Sequence, residues 1–193
     1  QEKKVEKLYV HYRRGTTDEV VIQEVLVRHA YQNNNVPMRI MAGDVWLDLG
    51  ANIGTFTLGV VGFGGTVVAV ECEESNIAML AKNVELNGFG ESVTIVPKAV
   101  STTEGVVELF VCKKDRNTYR HSLMMRKDRE PVSVESTTLA ALLEDHPDVN
   151  AIKIDIEGAE MDILAALDPG VVANVNKIVF EWTYDHDPRI DLF

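Results

Sequence analysis

Apolar and polar positions alternate along the chain with two periods. Val45-Trp46-Leu47-Asp48-Leu49, Thr66 to Val70, Ser92 to Val96, Ala151 to Asp155 and Lys177 to Glu181 are short runs dominated by apolar residues. Runs of this length and content are what strands buried on both faces require. Helical spacing fills the intervals. Thr55 to Val61 reads as the start of a helix. Ser75 is expected to cap a second one, which carries Ile77, Leu80, Ala81 and Val84 and closes at Asn87-Gly88. Thr137 or Thr138 should cap a third, which runs to about Glu144 and stops before Pro147. Glu157 to Leu167 should be a fourth, closed by Asp168-Pro169-Gly170. Strand and helix in alternation predict an α/β fold, with a mostly parallel sheet and helices on both faces.

The rhythm changes twice. Gly105 to Val111 and Glu130 to Glu135 alternate like strands around the polar stretch Lys113 to Arg129, which predicts an antiparallel hairpin inserted before the next βα unit. At the other end, Val5 to Tyr12 alternates well enough for a strand. Gly15-Thr16-Thr17-Asp18 then supplies a turn and a helix cap, and Val21, Ile22, Val25 and Leu26 share one face of a helix from Glu19 to Tyr31. Asn33-Asn34-Asn35 and Pro37 break that helix. The expectation is one domain over residues 1–193, with 1–43 as a flank or lid and 44–193 as the core. The first residue is Gln1, not Met, which reads as a fragment or a processed chain.

Composition narrows the classes of function. Apolar residues make up 46% and charged residues 25%, which suits a globular domain and not a disordered one. The net charge of −11 argues against nucleic acid as a partner, because phosphate binding needs a basic surface. Phe56 to Val70 is the most apolar stretch, but it is short and interrupted by four glycines, Gly59, Gly62, Gly64 and Gly65, so no membrane span is expected. Cys72 and Cys112 stand far apart in strand-like surroundings. They read as reduced thiols of a cytoplasmic, reducing compartment.

The candidate chemistry gathers at strand ends. Asp48-Leu49-Gly50-Ala51-Asn52-Ile53-Gly54 follows an apolar strand and precedes a helix. Glycine there permits positive φ and close approach to a ligand. The spacing is not that of dinucleotide binders, and the lysine of a phosphate cradle is missing. Glu71 ends the second strand, about 20 residues after Gly50, where an acid is placed to accept ribose hydroxyls. A glycine turn plus this acid suits an adenosine ligand without a pyrophosphate. In Ile152-Lys153-Ile154-Asp155-Ile156-Glu157, the lysine and Asp155 share one strand face. A strand lysine is seldom buried unpaired, so Lys153 is expected to meet Asp48 on a neighbouring strand. Asp155 and Glu157 lie where open α/β sheets bind ligands, and Glu160 reads as a first-turn helix acid. Glu181-Trp182-Thr183-Tyr184-Asp185-His186-Asp187 packs acids, aromatics and a histidine past the last strand.

DLGANIGTF, VVAVECEESNIAMLAKNVELNG, IKIDIEGAEMDIL and IVFEW, with the opening RRGTTDEVVIQEV, resemble the FkbM family of S-adenosylmethionine-dependent methyltransferases in order and spacing. The resemblance implies the class I, Rossmann-like methyltransferase fold and transfer of a methyl group to a hydroxyl oxygen of a small-molecule, sugar or glycosylated acceptor. S-adenosylhomocysteine is the implied product. Carried over by motif, Asp48, Gly50, Ala51, Asn52 and Gly54 surround the methionine part of the cofactor and Glu71 holds the ribose. Cys72 to Asn76 line the adenine and Ala99 covers its other face, while Asp155 counts with the cofactor residues as well. The fold normally adds a helix and two strands after the fifth strand. Only Asp187 to Phe193 follow here, so C-terminal strands are expected to be missing.

An alcohol is a poor nucleophile at neutral pH, so the transfer calls for a general base. Asp155, Glu157, Glu181 and His186 are the candidates. Asp155 and Glu181 offer oxygen ligands that suit Mg²⁺, yet nothing in their spacing demands a metal and none is expected. Two alternatives carry different signatures. An N-methyltransferase often shows an acidic-aromatic N-P-P-Y type motif, which is absent. A non-catalytic module of a larger protein has no need to keep both the glycine turn and Glu71. Arg116, Tyr119, Arg120, His121 and Met124 of the hairpin stretch are candidates for choosing the acceptor.

Overall fold

The computed structural model describes residues 7–28, 38–111, 130–156 and 158–180. Five parallel strands form the main sheet: β1 (Val45–Leu49), β2 (Thr66–Val70), β3 (Val93–Val96), β7 (Ala151–Ile154) and β8 (Lys177–Phe180), in the order β3-β2-β1-β7-β8. The chain thus starts in the middle, winds outward one way, then crosses back. That reversal between β2 and β7 around β1 is the switch point where open α/β sheets place ligands.

Helices cover both faces, as the alternation predicts. On one face α4 (Leu139–Asp145) and α5 (Glu160–Ala165) pack Leu139, Leu142, Leu143, Ile163 and Leu164 against Leu47, Leu49, Val68, Val70, Ile152 and Ile154. On the other, α2 (Thr55–Gly62) and α3 (Glu74–Leu86) set Phe56, Val60, Leu80 and Val84 against Trp46, Val67, Ala69 and Ala151. Period-two parity assigns each strand residue to its face. Helix α2 is buried on nearly every side, which an apolar helix needs if a second layer covers it. The flank supplies that layer: Leu26 lies over Gly59 and Leu8 over Gly62, each about a van der Waals contact from where a Cβ would stand.

The inserted hairpin is present as β5 (Gly105–Val111) and β6 (Glu130–Thr137), antiparallel. A two-residue strand, β4 (Ala99–Val100), joins β6 in parallel to make a separate three-stranded sheet. Four local expectations are corrected. Residues 7–12 form no strand; they run extended beside α3, held by side chains. Helix α1 (Asp18–Ile22) passes into a π-helical turn at Gln23–Val27 and is not one regular helix; the expected end at Tyr31 lies outside the described residues. Glu73, not Ser75, caps α3, its carboxylate accepting from the Asn76 N–H at 2.8 Å. Helix α5 begins at Glu160, not at residue 157, because Gly158 takes φ of +117° and ends the helical path. The expected missing C-terminal strands, the motif around Glu181 to Asp187 and the Lys113 to Arg129 stretch lie outside the described residues.

Candidate active site

The turn after β1 is shaped by three residues of positive φ: Gly50 at 76°, Asn52 at 53° and Gly54 at 88°. Asn52 tolerates the left-handed region because its short side chain bonds locally, here accepting from the Ile53 N–H at 2.7 Å. Gly50 is demanded by packing as well, since a Cβ there would lie 1.9 Å from the Asp155 carbonyl oxygen. The Gly50 and Ala51 N–H groups both donate to the Val70 carbonyl at 3.0 Å. The turn is therefore tied to the end of β2 on one side and pressed against the end of β7 on the other.

Glu71 joins the same assembly. Its Oε2 accepts from the Asn52 N–H at 2.8 Å, and its Oε1 from the Cys72 and Glu73 N–H groups at 2.9 and 2.8 Å. A carboxylate has about four acceptor positions; three are filled and one remains on Oε2. Burial pushes the Glu71 carboxyl above the usual carboxylate range. The three backbone hydrogen bonds work against that shift, and the neighbouring Glu73 charge adds to it. Burial, helped by the Glu71 charge, also drives the half-buried Cys72 thiol far above the ordinary thiol range, so Cys72 is no thiolate.

The second group of charges climbs the opposite strand. Asp48 and Lys153 are register partners on β1 and β7. Lys153 Nζ lies 3.2 Å from Asp48 Oδ1 and 3.4 Å from Asp155 Oδ2, and it donates to the Gly50 carbonyl at 2.9 Å. Thr57 Oγ1 donates to Asp48 Oδ2 at 2.6 Å. Asp48 is fully enclosed, so it braces the turn from beneath, whereas the Asp155 side chain keeps 24% of its surface exposed. Asn76 and Ala99 are enclosed too: Asn76 Oδ1 accepts from Arg13 at 2.7 Å, and Ala99 sits in β4 opposite Ser136. Of the proposed bases only Asp155 has a described side chain; Glu157, Glu181 and His186 lie outside the described residues.

Glu160 is the first-turn acid of α5 that the sequence predicts, but its hold on the preceding loop, and the part played by Asn83 and Asn87, go beyond that reading. Glu160 turns back from α5, accepting from Ile156 N–H at 3.1 Å and Gly158 N–H at 2.9 Å, so it fixes the loop beyond Asp155. Its distance of two to four residues from those amides, next to a glycine, was the available signal. Asn83 and Asn87 hold the extended flank, and their i, i+4 spacing on a helix was visible but uninformative without the partner strand. Among the described residues no cluster of three metal-ligating side chains occurs, and no helix is long and apolar enough to cross a membrane.

A strand order that reverses at β1, a glycine turn with left-handed residues and an acid at the tip of β2 define a Rossmann-like α/β domain of the methyltransferase class. The chain belongs to the FkbM methyltransferase family: the sequence model of the Methyltransferase FkbM domain matches residues 48–192. It is similar to the AMB antimetabolite synthetase AmbE of Pseudomonas aeruginosa, with 27% identity over 89% of this chain. That match spans 10% of AmbE. Among solved structures, a Methyltransferase FkbM from Methylobacillus flagellatus KT is 18% identical with a TM-score of 0.46, over 67% of this chain and 30% of that one. A precorrin-6y C5,15-methyltransferase from Geobacter metallireducens GS-15 is 14% identical with a TM-score of 0.49, over 94% and 71%. Membership in a methyltransferase family implies S-adenosylmethionine as methyl donor.

Proposed function

We propose that the chain binds S-adenosylmethionine over the Gly50–Gly54 turn and transfers its methyl group to a hydroxyl oxygen of a small-molecule or carbohydrate acceptor. The observation that carries the cofactor half is the contact between Glu71 and the turn, 2.8 Å from Oε2 to the Asn52 N–H. The residues fit the group. Glu71 retains one acceptor position for a ribose hydroxyl, and gripping both hydroxyls would require it to release one backbone amide. Gly50 and Gly54, where a Cβ would meet the Asp155 carbonyl and Leu80, let the turn bend tightly enough to offer its backbone, with Ala51 and Asn52, to the methionine part. Cys72, Asn76 and Ala99 belong to the segments beside the adenine.

When bound, the cofactor supplies an electrophilic methyl on its sulfonium and leaves as S-adenosylhomocysteine. The chain's share is to align the acceptor oxygen and to take its proton. Asp155 is the base whose position the crevice supports best, at the end of β7 and partly exposed; Glu157, Glu181 and His186 are its alternates. Proton removal by Asp155 calls for no metal, so on this reading turnover should survive a chelator, and loss of turnover would favour Mg²⁺. The likeness to a tenth of an antimetabolite synthetase supports a metabolite as acceptor.

Titration with S-adenosylhomocysteine tests the first half, and unchanged affinity in Glu71→Ala would remove it. Incubation with methyl-labelled donor and a panel of polyols, sugars, amines and peptides tests the second. Label recovered on nitrogen or carbon alone would overturn oxygen transfer, and donor binding without transfer to any acceptor would point to a non-catalytic module.

A further inference from the structure

We propose that Asn83 is a positioning residue that couples the extended flank at residues 8–13 to the glycine turn, so that docking of the flank sets the shape of the cofactor crevice. The inference rests on the cofactor reading above for its functional meaning, but its geometry is independent of it. Asn83 is fully buried on α3. Its Oδ1 accepts from the His11 N–H at 2.6 Å, and its Nδ2 donates to the His11 carbonyl at 3.1 Å and to the Ile53 carbonyl at 2.8 Å. A side-chain amide has two N–H donors. Here one is spent on the flank and the other on the turn.

Ile53 stands between the two left-handed residues Asn52 and Gly54, so its carbonyl direction reports the conformation of the whole bend. Asn87, one helical turn along, grips Tyr9 in the same way, accepting from its N–H at 2.9 Å and donating to its carbonyl at 2.7 Å. The other bond from Asn87 Nδ2 goes to the Asn83 carbonyl of its own helix at 2.8 Å. Asn87 therefore holds the flank without touching the turn, which makes it an internal control. Arg13 closes the same flank onto Ser75 and Asn76 at the start of α3, at 2.8 and 2.7 Å, next to the Glu71–Glu73 loop. The flank thus reaches both walls of the crevice, and Asn83 is the link to the glycine wall.

The test compares Asn83→Ala with Asn87→Ala by amide hydrogen exchange at residues 52–55 without ligand and by affinity for S-adenosylhomocysteine. Coupling predicts that Asn83→Ala speeds exchange at the turn and weakens the affinity by about tenfold each, while Asn87→Ala stays within about twofold of the parent in both. A merely structural role predicts that exchange speeds no more at the turn than in the rest of the protein and that affinity follows lost stability alike in both variants; that result, or an unchanged turn in Asn83→Ala, would overturn the proposal. If Asn83→Ala does not fold, His11→Pro, which deletes the N–H that Asn83 accepts, against Tyr9→Pro as control, gives the same comparison. Turn exchange that depends on Asn83 in a protein that binds no S-adenosylhomocysteine would sink the cofactor reading and leave the coupling standing.

Discussion

Asp48 and Lys153 face each other across β1 and β7, and their charged ends meet at 3.2 Å in a part of the sheet closed to water. Two charges held so deep are costly to desolvate, and the cost is offset only because each finds further partners. Thr57 donates to Asp48, and the Gly50 and Leu49 carbonyls lie within reach of Lys153. The pair thereby supports the backbone of the turn above it.

Removing Lys153 takes the opposite charge from the buried Asp48 carboxylate and leaves the Thr57 hydroxyl as its donor. Lys153→Met should lower unfolding free energy by about 3–5 kcal/mol. Asp48→Asn combined with Lys153→Met should lose clearly less than the sum of the single changes, because the double variant has no buried charge left without its partner. Denaturant titration of the parent, both single variants and the double variant gives the coupling; strict additivity would show that the two residues do not act as a pair.

Three glycines of positive φ separate strain from collision. At Gly88 a Cβ would meet nothing within 4 Å, at Gly54 it would stand 2.5 Å from the movable Leu80 Cδ1, and at Gly50 it would stand 1.9 Å from a backbone oxygen. Alanine at Gly88 should therefore cost about 1–2 kcal/mol from backbone strain alone. Gly54→Ala should cost more, and Gly50→Ala the most, at about 3–5 kcal/mol once overpacking against β7 is added. Thermal or denaturant melts check the order, and Gly50→Ala as mild as Gly88→Ala would contradict the close approach of turn and strand.

These same residues show what a sequence discloses. The five strands of the main sheet are legible because parallel strands covered on both faces must be almost wholly apolar, and Lys153 stands out against that background. Parity then names its partner. The turn is legible because Gly50 and Gly54 occupy positions where side chains would collide or strain. What stays hidden depends on partners far along the chain. The Lys7–Tyr12 segment alternates like a strand, yet its backbone pairs with Asn83 and Asn87, whose amides imitate a sheet edge on the surface of a helix. Glu73 takes the cap from Ser75 because its longer side chain reaches the Asn76 N–H while Ser75 donates to Glu73 at 2.6 Å. The Lys153 half of the Asp48 enclosure is legible from strand parity, whereas the Thr57 hydroxyl that closes the other side is announced by no local pattern.

Glu160 is buried at 4% exposure with its carboxylate on the Ile156 and Gly158 amides. Glu160→Ala should leave those amides unsatisfied and cost about 1–3 kcal/mol. Glu160→Gln keeps one acceptor oxygen and should recover part of that loss. Because the loop begins at Asp155, the alanine variant should also lower methyl transfer more than it lowers S-adenosylhomocysteine binding. The comparison of initial rates with titrated affinities decides this, and a loss confined to stability would make Glu160 a fold residue alone.

The raised carboxyl of Glu71 makes cofactor affinity depend on pH in a definite direction. Burial lifts its folded value above that of a free glutamate, so the empty protein holds its proton to higher pH than the unfolded chain does. Stability from this group is thus greatest below the unfolded value and falls as pH rises toward the folded one. A ribose hydroxyl donates to the charged carboxylate, so binding expels that proton. Affinity for S-adenosylhomocysteine should rise with pH, by at most about tenfold per unit, up to the folded value and level off above it. Glu71→Gln cannot titrate and should bind weakly with a flat profile from this source. Calorimetry in two buffers of different ionisation enthalpy should detect proton release by the parent below the plateau and none by the variant. A parent profile that falls with rising pH, or one as flat as the variant's, would mean that the ribose is not held by this carboxylate.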